Sequence, residues 1–181
     1  RRELLAADWG LINHWAKDAS LRFKQINARA ETMAVRPAYR DAFVSRRCAI
    51  PADGFYEWTG PKGARTPVRF HRPDGSMLWL AGLYEGWQNP ETGEVIKTFT
   101  IITTQPNELV SAVHDRMPAI LSPEQLEAWL AAEVPDGLLA PAANDALIAS
   151  PASARANSAR HDDVDLLNPD DPLVPKQFSL F

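Results

Sequence analysis

Cysteine is nearly absent: Cys48 stands alone among 181 residues, which excludes an internal disulfide framework. Histidine is scarce too, and none of the four shows the close spacing of a metal site, so neither a metal nor another cofactor is expected. No apolar run reaches the ~18 residues of a membrane span, and the stretch after Arg1, Arg2 and Glu3 is too short for a signal peptide. The expected location is the cytosol. There is no Gly/Ser linker and no internal repeat, and at about 150 residues per domain the length suggests one domain.

What is present is an uneven distribution of charge. The net charge is −4, yet residues 1–47 hold ten Lys/Arg against five Asp/Glu, while residues 48–181 hold nine against eighteen. A basic sector on an acidic protein describes this better than the mean, with a solvated charged face as the plain alternative.

The chain has fifteen prolines and nine glycines, and those in its first two thirds cut it into short β-rich pieces, at residues 49–58, 67–71, 77–83 and 98–103. A helix is expected to start at Ser122, where a serine cap precedes Pro123 and Gln125, with Leu126, Trp129 and Leu130 on one face. A shorter helix is expected over residues 37–46. Strands followed by helices without βαβ alternation point to an α+β fold, a mixed or antiparallel sheet with peripheral helices. Residues 161–175, acidic and Pro-rich, read as mostly irregular.

Three segments could carry chemistry. If residues 26–31 are extended, Asn27, Arg29 and Glu31 share one face and Ile26, Ala28 and Ala30 the other; Asn27 both donates and accepts, and the Arg29 fork suits phosphate. The plain alternative is a surface Arg29–Glu31 pair. Glu57, among Phe55, Tyr56 and Trp58, has neighbours that disfavour its ionised form and would suit acid/base work, although it could simply point outward. His114, beside Asp115, Arg116, Met117 and Pro118, could exchange protons near neutral pH or only hold structure. A cysteine hydrolase would pair Cys48 with His114, whereas an internal cysteine before a strand usually serves as a small hydrophobe.

Taken together, Trp9-Gly10-Leu11-Ile12, the segment from Asn27 to Thr32, the segment from Arg47 to Trp58, and His114-Asp115-Arg116-Met117-Pro118 resemble the SRAP family, the SOS-response-associated peptidase domain, over roughly residues 8–168. The resemblance implies a DNA-damage and repair protein of the bacterial cytosol and nucleoid that binds single-stranded DNA, recognises abasic sites and shields them by covalent attachment. It also implies an autopeptidase activity and a barrel-like sheet with a basic DNA channel. By the same resemblance Asn27, Glu57 and His114 would be catalytic, and Trp15, Arg29, Trp58 and Arg116 would bind DNA. The family's nucleophile is a cysteine directly after the initiator Met, with a free α-amine beside its thiol. This chain begins at Arg1, so it is expected not to crosslink as it stands, and Cys48, whose nitrogen is an amide, cannot substitute. Asn13 replaces the family's usual Pro, and Ser158 and His161 interrupt an Asn-rich late motif.

The SRAP domain is thus expected over residues 1–168, followed by a tail of residues 169–181. Its end, from Gln177 to Phe181, resembles the peptide by which bacterial repair proteins bind the sliding clamp, with Leu180 and Phe181 filling a pocket and Gln177 fixing register. A terminal segment docked on its own sheet is the alternative. The competing functional classes are a non-covalent single-strand-binding module and a cysteine peptidase acting on other proteins.

Overall fold

The structure, a computed structural model, describes residues 3–131 and 137–168. In chain order the elements are β1 (Asp8–Trp9), β2 (Asn27–Arg29), α1 (Ala30–Met33), α2 (Arg40–Ser45), β3 (Arg47–Ala52), β4 (Phe55–Thr59), β5 (Thr66–His71), β6 (Leu78–Gln88), β7 (Val95–Thr104), α3 (Glu108–Ser111), β8 (Met117–Pro118), α4 (Pro123–Trp129) and β9 (Ile148–Pro151). The α+β class with mixed sheets holds. The described sheets are open, so "barrel-like" applies only loosely. Among the described residues two compact units emerge: 3–51, Trp79–Gln105, 118–131 and 137–141 form the first, and Ala52–Leu78, Pro106–Met117 and 142–168 form the second.

The first unit is organised by β7. Along one edge it pairs antiparallel with β6, which in turn pairs β3; along the other it receives β1 and then β2, both parallel. Trp9 lies opposite Phe99 and Asn27 opposite Ile101, so the chain between them leaves the edge and returns to it. The neck of this loop is closed by Leu11 N–H to Gln25 O, 3.1 Å, and by Trp9 Nε1–H to Ile26 O, 2.8 Å. Gly10 turns the chain at φ 110°, where a side chain would be strained and would also meet Arg22 O at 2.7 Å. Behind the sheet, Leu11, Ala28, Leu83, Ile102, Leu121 and Trp129 form the centre of a buried cluster.

α4 forms where its local code places it. Ser122 accepts from Gln125 N–H, Gln125 Oε1 accepts from Ser122 N–H, and Pro123 occupies the first turn. Leu126, Trp129 and Leu130 all face the core, and Trp129 donates to Cys48 O at 2.8 Å. Arg47 clasps the ends of two helices, donating to Phe43 O at 2.6 Å and Trp129 O at 2.8 Å.

The second unit is built on the antiparallel order β4-β5-β9. The expected single strand over residues 49–58 is two, because the chain turns at Asp53-Gly54. A Cβ on Gly54 would lie 2.7 Å from Phe70 O, so only glycine fits at this start of β4. The interrupted late motif is braced by Arg155 Nη2 to Asp163 at 2.6 Å and by Asn157 Nδ2–H to Arg65 O at 3.1 Å.

The packing distinguishes two strand glycines. A Cβ on Gly82 would overlap Ile50 Cδ1 and approach Thr100 O to 2.8 Å, whereas one on Gly86 would meet only Val95 Cγ1 at an ordinary 3.6 Å. Gly82→Ala is therefore expected to cost about 1–3 kcal/mol and Gly86→Ala to stay within about 0.5 kcal/mol of wild type, by chemical denaturation.

Candidate functional site

Register decides the environment of Glu57. Glu57 pairs with Val68 and Phe55 with Phe70, so all four point to the same face of the second unit's sheet. The Phe55 and Phe70 rings stack at 5.3 Å, and Val68 and Phe70 are fully buried. The Glu57 side chain is 20% exposed beside them. Burial raises its carboxyl pKa above the ordinary 4.5; the nearby His114 draws it back down and Asp115 pushes it up. Trp58, opposite Pro67, and Tyr56, opposite Arg69, occupy the other face. Trp58 and Glu57 thus do not share a surface of the sheet.

His114 reaches Glu57 from the turn after α3. Asn107 caps that helix by accepting from Val110 N–H at 2.9 Å and donates to Ala143 O at 3.3 Å. Val110 O then accepts both Val113 N–H and His114 N–H at 2.9 Å. The imidazole Nδ1 lies 3.8 Å from Glu57 Oε1, 3.5 Å from Asp115 Oδ1, and 3.1 Å from both the N–H and the carbonyl of Arg116. Unprotonated, Nδ1 can accept from Arg116 N–H; protonated, it can donate to Arg116 O. Either state finds a partner, and a carboxyl that favours its proton stands alongside. This arrangement sets a proton donor and a proton acceptor side by side.

The first unit holds the other candidates. Asn27 and Arg29 are exposed on β2 with Ala28 buried between them, as expected, but the chain turns into α1 at Ala30, so Glu31 belongs to a helix and leaves the row. Trp15 is 53% exposed, and Phe23, overlooked in the sequence, is 83% exposed between Arg22 and Lys24. Asp115 was overlooked as well, although its place beside His114 was visible. Burial pushes the Cys48 thiol up to about 12, leaving almost no thiolate for a hydrolase. Among the described residues no group of three His, Cys, Asp or Glu could hold a metal ion, and no helix is long and apolar enough to cross a membrane. Gln177, Leu180 and Phe181 lie outside the described residues.

Fold and site together define an α+β protein with a carboxyl–imidazole pair on one sheet and an exposed Asn/Arg strand on the other. The family model described as SOS response associated peptidase (SRAP) matches residues 1–159, and the chain belongs to this family. It is 44% identical over 166 residues to the abasic site processing protein YoqW of Bacillus subtilis (strain 168), covering 88% of this chain and 73% of that protein. It is 35% identical to the abasic site processing protein HMCES of Gallus gallus, over 97% of this chain and 60% of that one. A crystal structure of a protein from Bacteroides thetaiotaomicron superposes with a TM-score of 0.81 at 30% identity, covering 88% of this chain and 74% of that chain.

The raised Glu57 pKa has a thermodynamic consequence. The folded carboxyl holds its proton more tightly than the unfolded one, so it contributes stability below pH 4.5 that is lost as the pH rises through the folded value. Urea denaturation at pH 4 and pH 8 should show Glu57→Gln gaining stability relative to wild type at the higher pH. A difference independent of pH would place the carboxyl in ordinary solvent.

Proposed function

We propose that the protein binds single-stranded DNA and processes abasic sites by forming a covalent thiazolidine crosslink. The observation that carries this reading is Glu57, desolvated by burial on the sheet face of Phe55 and Phe70 and 3.8 Å from His114. It is supported by family membership and by the abasic-site processing named for the relatives. The ring-opened sugar presents an aldehyde. A free N-terminal amine adds to its carbon, water leaves to give a Schiff base, and the thiol of the same cysteine adds across the C=N bond while the nitrogen takes up a proton. That cysteine is not among these 181 residues, so the reaction is assigned to a form of the protein bearing a processed N-terminal Cys.

In this reading neutral Glu57 donates a proton to the ring oxygen as the sugar opens and to the departing hydroxyl as the Schiff base forms. His114 returns protons to it. Asn27 orients the sugar or the amine, and Arg29 and Arg116 grip phosphates. Trp15 and Trp58 stack on bases, with Phe23 as a further exposed ring. The same N-terminal cysteine would remove its own initiator Met. A DNA substrate is consistent with a place in the bacterial cytosol, and the tail carrying Gln177, Leu180 and Phe181 would tether the protein to the sliding clamp; loss of clamp capture on removing residues 177–181 tests that tether.

Two substitutions separate chemistry from binding. With a native N-terminal Cys, Glu57→Gln should slow formation of the denaturation-resistant adduct by roughly 10²–10⁴-fold while leaving DNA affinity nearly intact. Arg29→Ala should instead lower affinity and reduce the log–log salt slope by about 0.7, with little dependence on base sequence. An unchanged crosslinking rate in the first, read on denaturing gels, would contradict the role of Glu57. An unchanged slope in the second would remove Arg29 from the DNA contact.

A further inference from the structure

Glu85 is a carboxylate inside a strand, and the Glu57–His114 pair does not use it. It alternates with Leu83 and Trp87 at the inward positions of β6, and all three are 3% exposed or less. Removing a carboxylate from water is costly, and a buried ion pair is seldom more stabilising than apolar packing of equal volume. Such a pair can fix geometry instead. Glu85 Oε1 accepts from Arg46 Nη2 at 2.8 Å and lies 3.4 Å from His14 Nδ1. Two residues along, Trp87 donates its Nε1–H to Ala16 O at 2.8 Å.

These two anchors hold the residues on either side of Trp15. The preceding turn is fixed as well: Ile12 N–H donates to Thr98 Oγ1 at 3.0 Å, and Asn13, 2% exposed where the resemblance leads one to expect proline, donates Nδ2–H to Ala38 O at 2.7 Å. The chain around Trp15 is thus held at Ile12 and Ala16 through the backbone and at Asn13 and His14 through their side chains, while Trp15 itself is left 53% exposed. A large apolar ring on a braced turn suits an ordered contact, because the entropy of fixing it is lost at folding and not at binding.

We propose that Glu85 and Trp87 are positioning residues that lock the turn at residues 12–16, so that Trp15 stands as a preformed stacking surface for single-stranded DNA. The inference rests on the DNA-binding reading above and adds the device that orders its aromatic contact. A base meeting a fixed ring gains stacking without first ordering the loop.

The test is a double-mutant cycle on the 181-residue protein, by fluorescence anisotropy against an undamaged single-stranded oligonucleotide. Trp15→Ala should weaken binding by about 5- to 150-fold, the span of one stacked base. Glu85→Gln and Trp87→Phe should each weaken it by about 3- to 10-fold, without changing the salt slope. In the Trp15→Ala background either should cost less than about 2-fold, because the positioned ring is gone. Losses that simply add, or none from Glu85→Gln and Trp87→Phe in the Trp15 protein, would overturn the inference and leave DNA binding standing. Should Glu85→Gln fail to fold by thermal scan, Trp87→Phe decides, since it removes one donor and keeps an aromatic ring. Failure of the unsubstituted protein to bind the oligonucleotide would overturn both the inference and the reading beneath it.

Discussion

A carboxyl group half-buried on the sheet face of two stacked phenylalanines is the constraint from which the site follows. The β4–β5 register puts Glu57 on the face of Phe55, Val68 and Phe70, and a slip of one residue would turn Glu57 outward and Trp58 inward. The register is therefore part of the chemistry. Gly54 protects it at one end, since any larger residue would strike Phe70 O. At the opposite side Asn107 caps α3 and so delivers His114 at a defined height. The raised pKa of the carboxyl and the nearby imidazole are products of this packing.

The first unit solves a different problem, the display of polar and aromatic groups on a firm backing. β7 holds β1 and β2 on one edge in parallel, which requires a loop to leave and rejoin it. That loop is closed at its neck and fastened by Glu85 and Trp87 from β6 and by Thr98 from β7. Asn27 and Arg29 remain exposed because Ala28 alone fills the inward position between them. Both units thus spend buried contacts on the placement of exposed groups.

How much of this was legible in the sequence depends on whether the determining interaction is local. The start of α4 was readable because Ser122, Pro123 and Gln125 make their contacts within one turn. The helix expected over residues 37–46 is real but shorter, Arg40–Ser45. The Asp53-Gly54 turn that divides residues 49–58 is a local signal, masked because the β-rich residues on both sides read as one strand. Parallel pairing of β1 and β2 with β7 spans some seventy to ninety positions, as in Asp8 with Thr98, and no local pattern announces it. Glu31 was misplaced because alternation assumed an extended chain where α1 begins. Glu85 escaped notice since a charge within a strand reads as solvent-facing, although its alternation with Leu83 and Trp87 was the available clue.

The central claim is that burial, tempered by His114, keeps the Glu57 carboxyl protonated beyond its ordinary range. The direct measurement is a ¹³C NMR titration of the Glu57 side-chain carboxyl in the wild-type protein and in His114→Ala. The account predicts a wild-type pKa above 4.5 and a further rise when the imidazole is removed, because His114 is the partner that lowers it. A wild-type value at or below 4.5, or one that His114→Ala leaves unmoved, would contradict it.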